Sequence, residues 1–161
     1  SGHCKQLFPA QLVNGTRCIN IHPGLNPHNR GWFPQVFSIL NGKPLGATIH
    51  VIDEELDHGP ILAQQEVPLF SWDTSLSAYQ RVQEAEKKLI EDCLVDILFN
   101  RCGSSRAGAG NVNLKRDFNT LCELGLEEVL TMKEAIDRLR ALSHPPYSNA
   151  YFKAKEDQRK V

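Results

Sequence analysis

Apolar and polar positions alternate along Arg17 to His22, with Ile19 and Ile21 set against Cys18, Asn20 and His22, and Pro23-Gly24 ends the run. Such alternation predicts a strand. Upstream, Pro9 to Val13 reads as one or two helical turns, with proline at the first helical position and Gly15 just past the end. Downstream, Pro23 to Phe33 carries two prolines, two glycines and two asparagines in eleven residues, which predicts a loop. A short helix is expected from Pro34, stopped by Gly42 in the left-handed conformation. Gly46 to Asp53 and Ile61 to Leu69 read as strands on either side of a tight corner at Leu56-Asp57-His58-Gly59-Pro60. Behind a cap at Asp73 or Thr74, the positions Leu76, Tyr79, Val82, Leu89, Ile90, Cys93, Leu94, Ile97 and Leu98 recur at helical spacing. They predict a long helix packed on a sheet.

The composition shifts to Gly, Ser and Ala at Cys102 to Gly110, which reads as a linker or mobile loop opening a second unit. Thr131-Met-Lys-Glu134 is a capping box for a helix over Ala135 to Leu142, and Pro145-Pro146 stops it. Asn149 to Lys155 extends as a strand, Glu156 to Gln158 turns, and Arg159 to Val161 begins a returning strand. The expected division is therefore 1–100 and 101–161. The chain does not open on Met, starts on a capless polar stretch and stops as a strand begins, so a fragment of a longer protein is expected.

A length of 161 residues suits one core and an appendage, and 41% hydrophobic content is that of a folded chain. A net charge of −1 removes any bulk electrostatic argument for a nucleic-acid or membrane-surface partner. The five cysteines are odd in number, scattered and never in a C-x-x-C pair, which fits neither a disulfide framework nor a zinc ribbon and suits a reducing cytoplasm. No apolar run approaches transmembrane length.

On the first strand, Asn20 and His22 are two apart and leave the same face at its C-terminal end. In an open α/β sheet that edge is where ligands bind. The corner carrying Asp57 follows a second strand and can bring a carboxylate to His22. Amide, imidazole and carboxylate together suit acyl transfer, because two can meet a developing oxyanion and the third can hold the imidazole charged. Spacing alone leaves function undecided, since an Asn–His pair on a strand end also serves as a structural hydrogen-bonding pair and Asp-His-Gly-Pro as an ordinary turn. His28, His50 and His58 show no metal-ligand spacing with His22, and no metal is expected.

The combined order of Ile-Asn-Ile-His-Pro-Gly-Leu-Asn-Pro (19–27), Arg30-Gly31, Gly46-Ala-Thr-Ile-His50 and Leu56-Asp57-His-Gly-Pro-Ile-Leu62 resembles the folate-dependent formyltransferases. Asn-Arg-Gly-Trp-Phe-Pro-Gln (29–35), the opening His3-Cys-Lys-Gln6 and the stretch Leu139 to Phe152 are most similar to the sugar N-formyltransferases, which act on dTDP-linked amino-dideoxysugars in O-antigen and glycolipid pathways. The resemblance implies an α/β fold with a partial Rossmann-like sheet and a small C-terminal α+β unit. It implies formyl transfer from 10-formyltetrahydrofolate to a sugar amine, with Asn20, His22 and Asp57 as the catalytic triad and His22 protonated under the influence of Asp57. It implies folate contacts at Lys5, Leu7, Asp53 and Leu56, largely through main chain, with core packing the alternative for Leu7 and Leu56. For the nucleotide sugar it implies Asn29, Arg30, Trp32, Phe33, Asn149 and Tyr151. A homodimer through the C-terminal region is also implied. Transfer to another amine, such as a nucleotide precursor or aminoacyl-tRNA, and a catalytically silent folate-binding fragment are the alternatives.

Overall fold

A three-stranded antiparallel sheet in the order β1-β3-β4 forms the centre of the structure, a computed structural model that describes residues 1–4, 6–106, 108–154 and 157–160. Before the sheet comes α1 (Ala10–Gly15), and β1 spans Ile19–His22. The two-residue strand β2 (Arg30–Gly31), α2 (Pro34–Asn41), β3 (Leu45–Val51), β4 (Ile61–Val67) and the long α3 (Ser75–Leu98) follow. β3 is central and pairs with both neighbours, Asn20 lying opposite His50 and His22 opposite Thr48. A parallel bridge from Gly2 to Ile21 adds a further chain direction at the β1 edge.

α2 starts and stops, and α3 starts, for the expected reasons, whereas α1 begins after Pro9, its N-cap, and takes in Gly15 as its last residue. α2 starts with proline in its first turn and ends at Gly42, whose φ of 70° favours glycine. α3 is capped by Thr74, whose hydroxyl accepts from the Ser77 amide. Beside that cap, Asp73 is 1% exposed and accepts from two Arg81 nitrogens at 3.0 Å, from Phe70 N at 2.7 Å and from Ser77 Oγ at 2.9 Å. Burial alone would raise the Asp73 pKa, but these donors, Arg81 foremost, hold it below the usual carboxylate range.

The buried stripe of α3 differs from the apolar list read from the sequence. Ala78, Val82, Ala85, Leu89 and Ile97 face the core, whereas Ile90, Leu94 and Leu98 are 39%, 41% and 67% exposed. The small side chains of Ala78 and Ala85 let the helix lie close on β3 and β4, so size at the contact decided the face.

Two further elements lie just beyond the Cys102–Gly110 linker, where the sequence pattern assigned none. β5 (Val112–Asn113) pairs in parallel with β2, and α4 (Lys115–Cys122) buries Phe118 and Cys122. Next come α5 (Met132–Leu142), opened by the Thr131/Glu134 capping box, and the two-residue strands β6 (Ser143–His144) and β7 (Tyr147–Ser148). The chain ends in the hairpin of β8 (Tyr151–Ala154) and β9 (Asp157–Lys160). Asp157 and Gln158 are strand residues paired with Ala154 and Lys153, where a turn was expected. Lys155, Glu156 and Val161 lie outside the described residues. α5 packs on α2 and α3, so the C-terminal elements share one apolar core with the sheet. All five cysteines are free.

Candidate active site

β1 and the corner after β3 build the site. Asn20 and His22 project from one face of β1, and His50 on β3 faces Asn20 through the strand register. Asp57 sits on the corner with φ of 47°, an uncommon backbone region for a residue with a side chain. Two neighbours hold it there: Asn26 Nδ2 donates to the Asp57 carbonyl at 2.8 Å, and the Gly31 amide donates to Asp57 Oδ2 at 3.1 Å. Asn26 is itself pinned, its amide donating to Thr48 Oγ1 at 3.0 Å and its carbonyl accepting from Gln64 Nε2 at 2.7 Å. Thr48 Oγ1 in turn donates to the Gly24 carbonyl at 2.7 Å. The loop after β1 is thus tied to β3, β4 and the Asp57 corner. Gly24 is required by proximity, because a Cβ there would lie 2.5 Å from His22 Nε2.

In this frame Asp57 takes the centre. Its Oδ2 lies 3.4 Å from His22 Nδ1, and its Oδ1 lies 3.5 Å from both His50 Nε2 and Asn20 Nδ2. Asn20 Nδ2 is also 3.5 Å from His50 Nε2. Since a carbonyl only accepts, the 2.8 Å contact of His50 Nδ1 with the Val51 carbonyl places a proton on Nδ1. His50 Nε2 is then the ring nitrogen that faces both Asp57 Oδ1 and Asn20 Nδ2. Asn20 Oδ1 and His22 Nε2 are left buried and, among the described residues, without a partner. Two unpartnered polar atoms beside one carboxylate mark a place built for a polar ligand group.

The electrostatics follow from enclosure. His22 is 3% exposed, and burial lowers its pKa to about 4; Asp57 raises it, and His50, His3 and Arg30 lower it further. Against the expectation of a protonated His22, the carboxylate acts in the expected direction, but desolvation outweighs it and favours the neutral ring. Burial would raise Asp57, yet the hydrogen bond from His50, the charges of His22 and His50 and the Gly31 amide bring it below the usual carboxylate range. A neutral imidazole with its Nδ1–H toward a carboxylate and a bare Nε2 is a base.

The other residues singled out from the sequence separate by employment. Leu7 is 71% exposed and free to meet a ligand. Asp53 accepts from the Glu55 amide at 3.0 Å and pairs with His58 Nδ1 at 2.8 Å. Leu56 packs toward Gly31, and Lys5 lies outside the described residues. Arg30 is half-buried, with Nε enclosed and unpartnered. Trp32 sits 5.3 Å beneath the Lys115 ammonium and 5.5 Å from the Phe33 ring. Four residues do structural work that sequence spacing could not reveal. Asn29 is 1% exposed; its Oδ1 accepts from Asn41 and Asn111 at 2.8 Å, and its Nδ2 donates to Ser38 at 3.0 Å. Phe33 packs against Phe118 of α4, the ring centroids 4.2 Å apart and the rings tilted by 42°. Asn149 donates to the Leu142 carbonyl at 3.0 Å, closing α5, and the Tyr151 hydroxyl donates to Glu123 at 3.2 Å. His50 is the residue that sequence reasoning missed. Its signal was the polar alternation Thr48/His50 in an otherwise apolar strand, which places it on one face with Thr48.

Beside the corner, a cleft of about 440 Å³ runs between α1 and residues 52–58, lined by Val13, Asn14, Ile52, Asp53, Glu54, Glu55 and His58. Among the described residues no cluster suited to a metal ion is found, and no helix is long and apolar enough to cross a membrane.

The formyl transferase family model matches residues 2–94, and the model of the N-formyltransferase dimerization C-terminal domain matches residues 117–161. The dTDP-4-amino-4,6-dideoxyglucose formyltransferases of Mycobacterium bovis and Mycobacterium tuberculosis are 52% identical over 156 residues, covering 94% of this chain and 65% of theirs. A sugar N-formyltransferase from Shewanella sp superposes with a TM-score of 0.97 at 53% identity, covering 99% of this chain and 66% of that one. A 4-N formyltransferase from Francisella tularensis gives 0.95 at 52% identity, covering 99% and 67%. The chain thus spans about 65% of the length of these mycobacterial relatives. With the site residues in motif order, one family model over more than half of the chain and relatives at this identity, the chain belongs to the formyl transferase family.

Proposed function

We propose that this chain carries the catalytic centre of an N-formyltransferase that moves a formyl group from 10-formyltetrahydrofolate to the amine of a dTDP-linked amino-dideoxysugar, such as dTDP-4-amino-4,6-dideoxyglucose. The observation that carries the reading is the meeting of Asn20, His22 and Asp57 around two unpartnered buried atoms, in a chain 52% identical to relatives named for that sugar. The corresponding product would serve O-antigen or glycolipid assembly in the cytoplasm.

The donor, when bound, supplies a formyl carbon on nitrogen. His22, neutral and backed by Asp57, takes at Nε2 the proton that the sugar amine loses as its nitrogen bonds to the formyl carbon. The imidazolium so formed is stabilised by the Asp57 carboxylate and faces the oxygen on which negative charge develops. His22 then returns the proton to the departing folate nitrogen, so the imidazole ends as it began. Asn20 contributes its amide at the same oxygen. Because its Nδ2 is engaged by Asp57 and His50, donation to the oxyanion requires the amide to turn. Leu7, Leu56 and Asp53 border the folate side in this reading, with Lys5 in the same segment. Arg30 and Trp32 are offered for the diphosphate and sugar or base, a guanidinium being suited to bidentate phosphate contact. We read the chain as two units divided near residue 100, the second contributing to a homodimer.

The test is direct. The chain is incubated with 10-formyltetrahydrofolate and dTDP-4-amino-4,6-dideoxyglucose, and tetrahydrofolate release is followed. Release that depends on both substrates supports the reading; folate binding without turnover would instead favour a silent folate-binding unit.

A further inference from the structure

A second polar cluster lies apart from the Asp57 centre, yet close enough that the charge of His3 acts on His22. Glu86 on α3 is only 5% exposed, and a carboxylate this deep must be paired. Among the described residues its partner is His3, whose Nε2 lies 2.7 Å from Glu86 Oε1. The other ring nitrogen of His3 lies 3.1 Å from the hydroxyl of Tyr79, seven positions before Glu86 and on the same face of α3. Both imidazole nitrogens are therefore held by one helix. The hydrogen bond to Glu86, against partial burial, raises the His3 pKa, which strengthens the grip.

The backbone at His3 explains why such a grip is needed. Gly2 is still bridged to Ile21 at the sheet edge, but His3 has φ of 54°, in the left-handed region, and the chain turns away there. Beyond it, among the described residues, the hydrogen bond found for Cys4, Gln6 or Leu7 is internal to the segment, from Cys4 Sγ to the Gln6 carbonyl at 3.5 Å. Among the described residues no strand pairs with Cys4, Gln6 or Leu7.

We propose that Glu86 is a positioning residue for folate binding: through His3 it orients the backbone at Cys4, Gln6 and Leu7, the segment that borders the folate. The inference rests on the functional reading above for the identity of the ligand, and on the structure for the anchor. Backbone groups discriminate a flat heterocycle only when presented at fixed angles, so the anchor governs affinity for the cosubstrate while the Asp57 centre governs the chemical step.

The test uses the full chain, with Glu86→Gln, His3→Ala and the double variant. Backbone order parameters are measured by 15N relaxation at the Cys4, Gln6 and Leu7 amides, and tetrahydrofolate binding is titrated alongside kcat. A fall of the order parameters at these amides from about 0.85 to below about 0.6, tetrahydrofolate binding at least about fivefold weaker, kcat at saturation within about twofold, and a double variant no worse than His3→Ala are expected. Unchanged order parameters in both folded single variants overturn the proposal, as does a fall in kcat with folate affinity intact. Should the unmodified chain bind no tetrahydrofolate while the order parameters still respond, the anchor stands and the folate reading falls. His3→Ala, at a partly exposed side chain, keeps the test valid if Glu86→Gln does not fold.

Discussion

The buried, neutral state of His22 makes a prediction about stability that can be separated from catalysis. A histidine whose pKa falls from 6.5 to about 4 on folding is a group the unfolded chain protonates first. Stability from keeping it neutral is fully present above pH 6.5 and is lost as the pH falls toward 4. The full effect is on the order of 3 kcal/mol. Between about pH 7.5 and about pH 5.5, where most carboxylates stay ionised, the expected loss is roughly 1.4 kcal/mol. Other groups titrate in the same window: His144 is lowered by burial and adds to the loss, whereas His3 is raised by Glu86 and opposes it. The measurement is therefore a difference, urea unfolding of the unmodified chain and of His22→Gln at both pH values, in which the other histidines cancel. The stability advantage of histidine over glutamine should shrink by roughly 1.4 kcal/mol on acidification. An advantage that stays level, or grows as the pH falls, would show that Asp57 outweighs desolvation and that His22 rests charged.

Asn20→Ala should lower kcat by about 10²–10³, the usual cost of one oxyanion donor, while the unfolding midpoint stays nearly unchanged; near-normal turnover would remove Asn20 from the mechanism. Gly24→Ala adds a methyl 2.5 Å from His22 Nε2, so it should cost about 1–3 kcal/mol in urea unfolding and at least about tenfold in kcat. Asp73→Asn removes the charge that Arg81 and two other groups share at the start of α3. Because Arg81 is 29% exposed and can partly rehydrate, a loss of about 2 kcal/mol is expected by chemical denaturation. Asn29→Ala strips partners from Asn41, Asn111 and Ser38 and should cost about 2 kcal/mol; a neutral result would show that the amide cluster does not join β5 to the loop before α2.

What could be read from residues alone was local. Proline at the start and glycine at the end delimited α2, a Thr-x-x-Glu box opened α5, and alternation marked β1, because each signal acts within a few residues of the backbone it governs. Motif order also exposed Asn20, His22 and Asp57, since two lie on one strand face and the third on the turn that strand pairing brings over them. α4 and β5 stayed hidden because neither stands alone: β5 is two residues paired to a distant loop, and α4 is held by Phe118 under Phe33. The same limit applies to chemistry. Which side chains are spent on structure, as Asn29 is, depends on partners 12 and 82 positions away. The charge of His22 depends on how completely the fold removes water from it, and His50 enters the site only through strand register. Residue types and their order determined the family and picked out the candidate catalytic residues; protonation state, the placing of His50 beside them and the pairing of His3 were decided by burial and long-range contacts, which exist only in the folded chain.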